Sequence, residues 1–324
     1  MIENKTILIT GGTGSFGQEL TKVLLEEHDL KAIRIFSRGE LQQSEMKRKF
    51  NDNPKLRFFI GDVRDKNRVY RATDNVDIII HAAALKQVPT AEYNPIEAIR
   101  TNIDGTTNII DATIDNHIPK ALAISTDKAV HPVNLYGATK LVMERLFTQA
   151  NVYAGKRESK FSCIRYGNVI GSNGSVIPLF LKQKKTGTIT ITDETITRFW
   201  ITLTQGVHFV IDCIERIQGG EIFIPKIPSM KITDLAQVIA PDAKRKIIGI
   251  RPGEKVHETL LTEEEAKHTK EFPTYFSVEP EFPFWKKVNA ENGKLIPNGF
   301  KYTSDNNTWW LSKSNLRDMM EKFQ

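Results

Sequence analysis

Two short stretches carry side chains able to move protons. Ser125-Thr126-Asp127-Lys128 sets hydroxyls, a carboxyl and an amine side by side, and Tyr136-Gly137-Ala138-Thr139-Lys140 sets a phenol and an ammonium four residues apart. On a helix that spacing brings Tyr136 and Lys140 onto one face. Tyrosine is a poor base at neutral pH, and a nearby cation stabilises its phenolate. The pair suits a tyrosine that takes a hydroxyl proton while hydride leaves the same carbon. Asp127 and Lys128 suit the step that follows. Once a sugar carbon has become a ketone, the neighbouring C–H is acidic; a base removes that proton, and an acid helps the next hydroxyl leave as water. Thr126 is a hydrogen-bond partner for a sugar hydroxyl or carbonyl. An ordinary lysine is almost wholly protonated at neutral pH, so burial and neighbouring positive groups have to depress Lys128. Asp127 has to be raised so that it holds a proton when it acts.

Hydride chemistry needs an acceptor, and Thr10-Gly11-Gly12-Thr13-Gly14-Ser15-Phe16-Gly17 is built to hold one. Gly11, Gly14 and Gly17 are spaced for a tight turn, close approach to a pyrophosphate and close helix–strand packing, with Thr13, Ser15 and Phe16 between them. The helix that follows offers N–H donors and a positive dipole end. After the next strand come Ser37 and Arg38, a hydroxyl and a guanidinium suited to a 2′-phosphate, so NADP is the expected cofactor; Glu40 close by is the feature that favours NAD. Asp62 and Val63 are placed to meet an adenine, and Ala82 and Ala83 are small enough for a nicotinamide ribose to lie on backbone.

These groups require a frame that brings strand ends together. Apolar strands are expected at 6–10, 33–36, 56–60, 76–80, 121–125 and 161–166. Helices are expected at 15–27, within 92–116 and at 134–150. Strands apolar on both faces and alternating with helices indicate an α/β fold with a doubly wound parallel sheet. After Gly167 the texture changes: a loop signal at 171–174, a strand at 188–192, a helix at 203–217 and a strand at 221–224 that could rejoin the sheet. The expected division is a dinucleotide-binding domain over 1–170, with 199–224 returning to it, and a smaller substrate domain from 171–198 and 225–324.

Composition narrows the rest. The chain has 324 residues and 45 basic against 39 acidic side chains, a net charge of +6. Its basic runs, at 47–49, 182–185 and 244–246, are dispersed rather than gathered into a stripe, so no nucleic-acid partner is expected. Two cysteines, Cys163 and Cys213, exclude a disulfide scaffold and a cysteine-based zinc site, and no metal is expected. The longest apolar stretch, 76–85, is interrupted by Asp77 and His81 and falls short of the roughly 18 residues of a membrane span. With no signal-peptide layout at the N-terminus, a soluble cytoplasmic protein is expected.

Together these residues resemble the extended short-chain dehydrogenase/reductase family and, more closely, the inverting UDP-N-acetylglucosamine 4,6-dehydratases that open pseudaminic acid and related deoxy-amino-sugar pathways. The resemblance rests on TGGTGSFG at 10–17, FIGDVRD at 59–65, HAAALK at 81–86, STDKA at 125–129, NLYGATK at 134–140, RYGNVIGS at 165–172, TRFWI at 197–201 and IIGIRPGEKVHE at 247–258. It implies a Rossmann domain with a smaller C-terminal nucleotide-sugar-binding domain, tightly bound NADP recycled in each turnover, UDP-N-acetylglucosamine as substrate and a homo-oligomer up to a hexamer. It also implies roles: Tyr136 and Lys140 as the oxidation pair, Thr126 beside the substrate, Asp127 as the acid at C6 and Lys128 as the base at C5. Lys86 would reach cofactor or sugar. Asn168, Arg251 and Glu254 would hold the UDP part, and Arg198 of TRFWI joins the substrate contacts. The chain departs from the family pattern at Gly39, Gln42, Gln87 and Asn173. The rival readings are a UDP-sugar 4-epimerase and a non-catalytic NADP-sensing protein.

Overall fold

The computed structural model describes residues 2–155, 157–170, 176–282, 284–285 and 293–321. The expected loop at 171–174, Asn173 included, lies outside the described residues.

Short β-branched runs bounded by turn residues form the central strands. They are β1 (Thr6–Thr10), β2 (Ala32–Ser37), β3 (Leu56–Ile60), β4 (Ile78–His81), β5 (Lys120–Thr126) and β6 (Lys160–Tyr166). β1 pairs in parallel with both β2 and β4, and β4, β5 and β6 continue in parallel on one side, with β3 beyond β2 on the other. Every residue of β1 is buried, as a strand covered on both faces by helices must be. Chain order reverses direction between β1 and β4, and ligands of open α/β sheets bind in the crevice at such a point, outside the carboxyl ends of the strands. Ile222–Pro225 does rejoin the sheet, parallel to β6 through Ile222↔Cys163. Beyond it, Tyr275–Val278, Thr269–Glu271 and Lys294–Leu295 add an antiparallel edge. Three short strands from the stretch expected to form the substrate domain therefore extend the main sheet.

The segment expected to hold one long helix is broken. It runs as Val88–Tyr93, Pro95–Ile99, a wider π-helical turn Arg100–Asp104 and Gly105–Asp115. Pro95 disfavours helical backbone at Asn94, which ends the first piece. The π-turn sets Thr101 against the cleft described below. Helix Leu135–Ala154 is capped by Asn134, whose side chain accepts from Gly137 N–H at 2.8 Å. Helix Leu203–Arg216 closes the first half with a Thr202–Gln205 capping box.

Two large apolar cores stand out among the described residues. The larger lies around β1–β6 and includes Ile7, Ile9, Ile80, Leu122, Phe147 and Phe161. The smaller gathers Ile170, Phe180, Ile191, Trp200, Met230 and Leu235, where Thr197–Thr202 lies between Asn168–Ile170 and Ser229–Lys231. Among the described residues no helix is long and apolar enough to cross a membrane.

Candidate active site

A cleft of about 850 Å³ opens at the carboxyl ends of the parallel strands. Its lining brings together the glycine loop (Gly11, Thr13, Gly14, Ser15, Phe16, Gly17), the pair Ser37 and Arg38, Asp62 and Val63, Ala82, Ala83 and Lys86, and Thr126, Lys128, Tyr136, Lys140 and Asn168. Residues from six strand ends, far apart in sequence, line one cleft.

The loop end fits a dinucleotide pyrophosphate. Helix Ser15–Glu27 begins at Gly14 with no side-chain cap and no acidic residue in its first turn, so its N–H donors and dipole face the cleft. A Cβ on Gly17 would stand 2.4 Å from Gly12 O, so only glycine lets helix and loop approach this closely. At the far end Ser37 Oγ accepts from Gln43 Nε2 at 3.0 Å, which fixes the hydroxyl. Arg38 is largely exposed, with Nη1 3.9 Å from Asp62 Oδ2. The Asp62 carboxylate is already engaged: it accepts from Arg64 Nη2 at 2.6 Å and from Arg64 N at 3.0 Å. Burial pushes Asp62 up, but the Arg64 hydrogen bonds prevail and hold it below the usual carboxylate range.

The chemical end is built on the terminus of β5. There the chain leaves the strand at Thr126 and turns through Asp127–Ala129. Thr126 Oγ1 donates to Asp127 Oδ1 at 3.0 Å, and Lys128 Nζ donates to the same oxygen at 3.0 Å. Asp127 is fully buried, and its Oδ2 has no hydrogen-bond partner. Burial is the main reason its carboxyl is raised, and the Glu258 charge adds to it against the pull of Lys128. This is the direction of shift the acid role requires. Gly137 packs the helix carrying Tyr136 onto this turn: a Cβ there would lie 2.2 Å from Lys128 O. Tyr136 is thereby set beside Thr126 and Lys128.

Two electrostatic expectations are corrected. Arg198 does act to depress Lys128, but it does not prevail. Burial does pull its ammonium down, but the carboxylates of Asp127, and of Glu258 at 3.3 Å, outweigh that and raise it. The lysine is therefore held charged in the substrate-free protein. Lys140, expected to stabilise the phenolate, makes its hydrogen bonds elsewhere in the structure. Its Nζ donates to Ile124 O at 2.5 Å and contacts Met143 Sδ at 2.9 Å, and burial brings it down to about 8. Burial pushes Tyr136 up to about 12, and the cation working in the opposite direction is Lys128.

The remaining substrate candidates lie off the cleft. Arg198 is buried, donating to the carbonyls of Thr197, Lys255 and Val256 at 2.7–2.9 Å and to Glu254 Oε1 at 3.2 Å. Arg251 is exposed, and Glu254 closes its turn by N–H donation to Arg251 O at 3.0 Å. Asn134 Nδ2 donates to Gly253 O at 2.8 Å, and Lys255 Nζ donates to Val130 O at 2.5 Å, so this segment is tied to the turn that bears Lys128. The group that sequence reasoning passed over is Glu258, 2 % exposed and in contact with Lys128. It lies in the quoted IIGIRPGEKVHE stretch, but nothing in its local pattern points to residue 128. Among the described residues no cluster of side chains suits a metal ion.

The family model described as polysaccharide biosynthesis protein matches residues 7–280. The chain is 52 % identical, over 99 % of its length and 98 % of the relative's, to a protein of Campylobacter jejuni serotype O:2 named UDP-N-acetylglucosamine 4,6-dehydratase (inverting). It is 43 % identical, over 86 % of its length and 84 % of the relative's, to a Rickettsia conorii protein named UDP-glucose 4-epimerase. Its fold superposes on the X-ray structure of Pen from Bacillus thuringiensis with a TM-score of 0.91 at 39 % identity, covering 100 % of this chain and 99 % of the other. The chain belongs to the polysaccharide biosynthesis protein family, with the inverting UDP-N-acetylglucosamine 4,6-dehydratases and the extended short-chain dehydrogenase/reductase fold.

Proposed function

We propose that this protein is a UDP-N-acetylglucosamine 4,6-dehydratase that inverts C5, acting in the cytoplasm as a homo-oligomer and feeding deoxy-amino-sugar synthesis. The observation that carries the reading is the pairing of buried Asp127 with cleft-lining Lys128 beside Tyr136 at the end of β5. An oxidation site alone leaves that pair without a task. Kinship of 52 % over the whole chain to a protein of that name supports it.

The cofactor would be NADP, held by the glycine loop at its pyrophosphate, by Ser37 and Arg38 at its 2′-phosphate and by Ala82 and Ala83 along its backbone side. When bound it supplies hydride acceptance at C4 of the sugar and hydride return at C6, with no net redox change. The residues manage the protons. Tyr136 Oη takes the C4 hydroxyl proton while Thr126 holds the oxygen. A shift of one proton across the 3.0 Å from Lys128 Nζ to Asp127 Oδ1 creates the neutral base and the protonated acid together. Lys128 then takes the C5 proton, and Asp127 gives its proton to the departing C6 hydroxyl. Reprotonation of C5 on the opposite face leaves UDP-2-acetamido-2,6-dideoxy-β-L-arabino-hexos-4-ulose. Asn168, Arg198, Arg251 and Glu254 belong to the substrate side in this reading, within the smaller domain and its border with the first.

A 4-epimerase reading draws on the Rickettsia relative's name. It uses the same tyrosine and predicts a product of unchanged mass. Incubation with UDP-N-acetylglucosamine in deuterated water separates the two: the dehydratase yields a product lacking one water and labelled at C5. An isomer of the substrate's mass overturns the dehydratase reading.

A further inference from the structure

The two-residue acid–base pair is incomplete in one respect, and the structure holds what completes it. Asp127 cannot be the counter-ion of Lys128 throughout the elimination, because it must carry a proton in order to give one up. Glu258 Oε1 lies 3.3 Å from Lys128 Nζ, and its carboxylate is 3.5 Å from Lys255 Nζ and 4.0 Å from Arg198 Nε. It is 2 % exposed, and its backbone is pinned by donation to Ser304 Oγ at 2.9 Å, which in turn contacts Thr197 Oγ1 at 2.6 Å. Burial pushes Glu258 up, but Lys128, Arg198 and Lys255 together hold it below its usual range, so it stays ionised. The carboxylate is therefore buried, charged and set against the base from a segment some 130 residues away in the chain.

We infer that Glu258 is a positioning residue of the elimination site, holding Lys128 toward the sugar and serving as the fixed counter-ion of its ammonium. The inference rests on the dehydratase reading. In the balanced step the C5–H bond breaks and its proton goes to Lys128 Nζ. The electron pair forms the C5–C6 double bond, the C6–O bond breaks, and the Asp127 proton leaves with the oxygen as water. Before the step the trio reads neutral lysine, protonated aspartic acid and ionised glutamate. After it, lysine is cationic and both acids are ionised. Only Glu258 keeps its charge on both sides, so only it favours the arrival of a proton on Lys128 throughout.

The test is Glu258→Gln with substrate deuterated separately at C4 and at C5. A general base deprived of its counter-ion slows by at least about tenfold in kcat with little change in KM. The isotope effect at C5 grows while that at C4 falls toward unity, because proton abstraction has become the slow step. Glu258→Asp, which retains the charge, restores part of the rate and an intermediate C5 effect, and carries the same readout if the glutamine variant does not fold. A C5 effect unchanged from wild type in E258Q, or an E258D variant no better than E258Q, overturns the inference. Wild-type protein that releases no water from UDP-N-acetylglucosamine sinks the dehydratase reading itself, a result distinct from both.

Discussion

Replacing Lys128 by Met removes the charge and keeps most of the side-chain length. At an effective dielectric near 20, an ammonium 3.0 Å from Asp127 and 3.3 Å from Glu258 is attracted by about 5 kcal/mol to each. The net loss is smaller, because desolvating the ions already cancels much of that attraction. Glu258 retains Lys255 and Arg198, but Asp127 is left with Thr126 alone. A fully buried carboxylate in that position avoids the full cost by keeping a proton. The sign follows from linkage: a carboxyl raised in the folded state holds a proton that the unfolded chain has released, so its stability contribution is present at low pH and is lost as pH climbs from the unfolded value toward the raised one. The variant should match wild type at or below about pH 4 and be weaker by about 3 kcal/mol near about pH 8. For a chain of this length that is a melting-temperature deficit of about 4 °C. Thermal melts of both proteins across that range measure it, and dehydration should fall by about 10²- to 10⁴-fold. A deficit independent of pH, or water release at close to the wild-type rate, would refute the idea that Lys128 is both the base and the charge that Asp127 depends on.

Other expectations follow from the same geometry. Gly17→Ala drives a Cβ to 2.4 Å from Gly12 O and should cost about 1–3 kcal/mol along with most cofactor affinity, whereas Gly14→Ala meets only Gly11 O at 3.2 Å and should be far milder; thermal melts and cofactor titration rank the two. Arg38→Ala should weaken NADP by about tenfold and leave NAD unaffected, as calorimetry would show. Arg165→Met should destabilise by about 3–5 kcal/mol, because Arg165 bridges Glu144 at 2.7 Å and Glu265 at 2.9 Å inside the protein; Glu144→Gln in the same chain should recover part of the loss in denaturant titrations.

The parts of the site that depend on local pattern were readable in the sequence. The glycine loop, the β5 terminus and the Tyr136 helix each announce themselves within about ten residues, because strand, turn and helix start are set by neighbouring side chains. The Asn94–Pro95 break was visible for the same reason and should have split the expected long helix; the π-turn at 100–104 carries no comparable signal. What escaped depends on distant packing. Lys128 reads as a base needing positive neighbours until the fold brings Glu258 beside it. Lys140 reads as the partner of Tyr136 until burial against Ile124 and Met143 draws it elsewhere. Arg198 reads as a ligand contact, and no local pattern announces the three carbonyls to which the fold also ties its guanidinium.

Two cations near the catalytic edge, Lys128 and Arg165, pair with carboxylates made late in synthesis. Lys128 waits for Glu258, and Arg165 keeps only Glu144 until Glu265 arrives. A chain interrupted before those residues would own a finished phosphate loop and a half-neutralised interior.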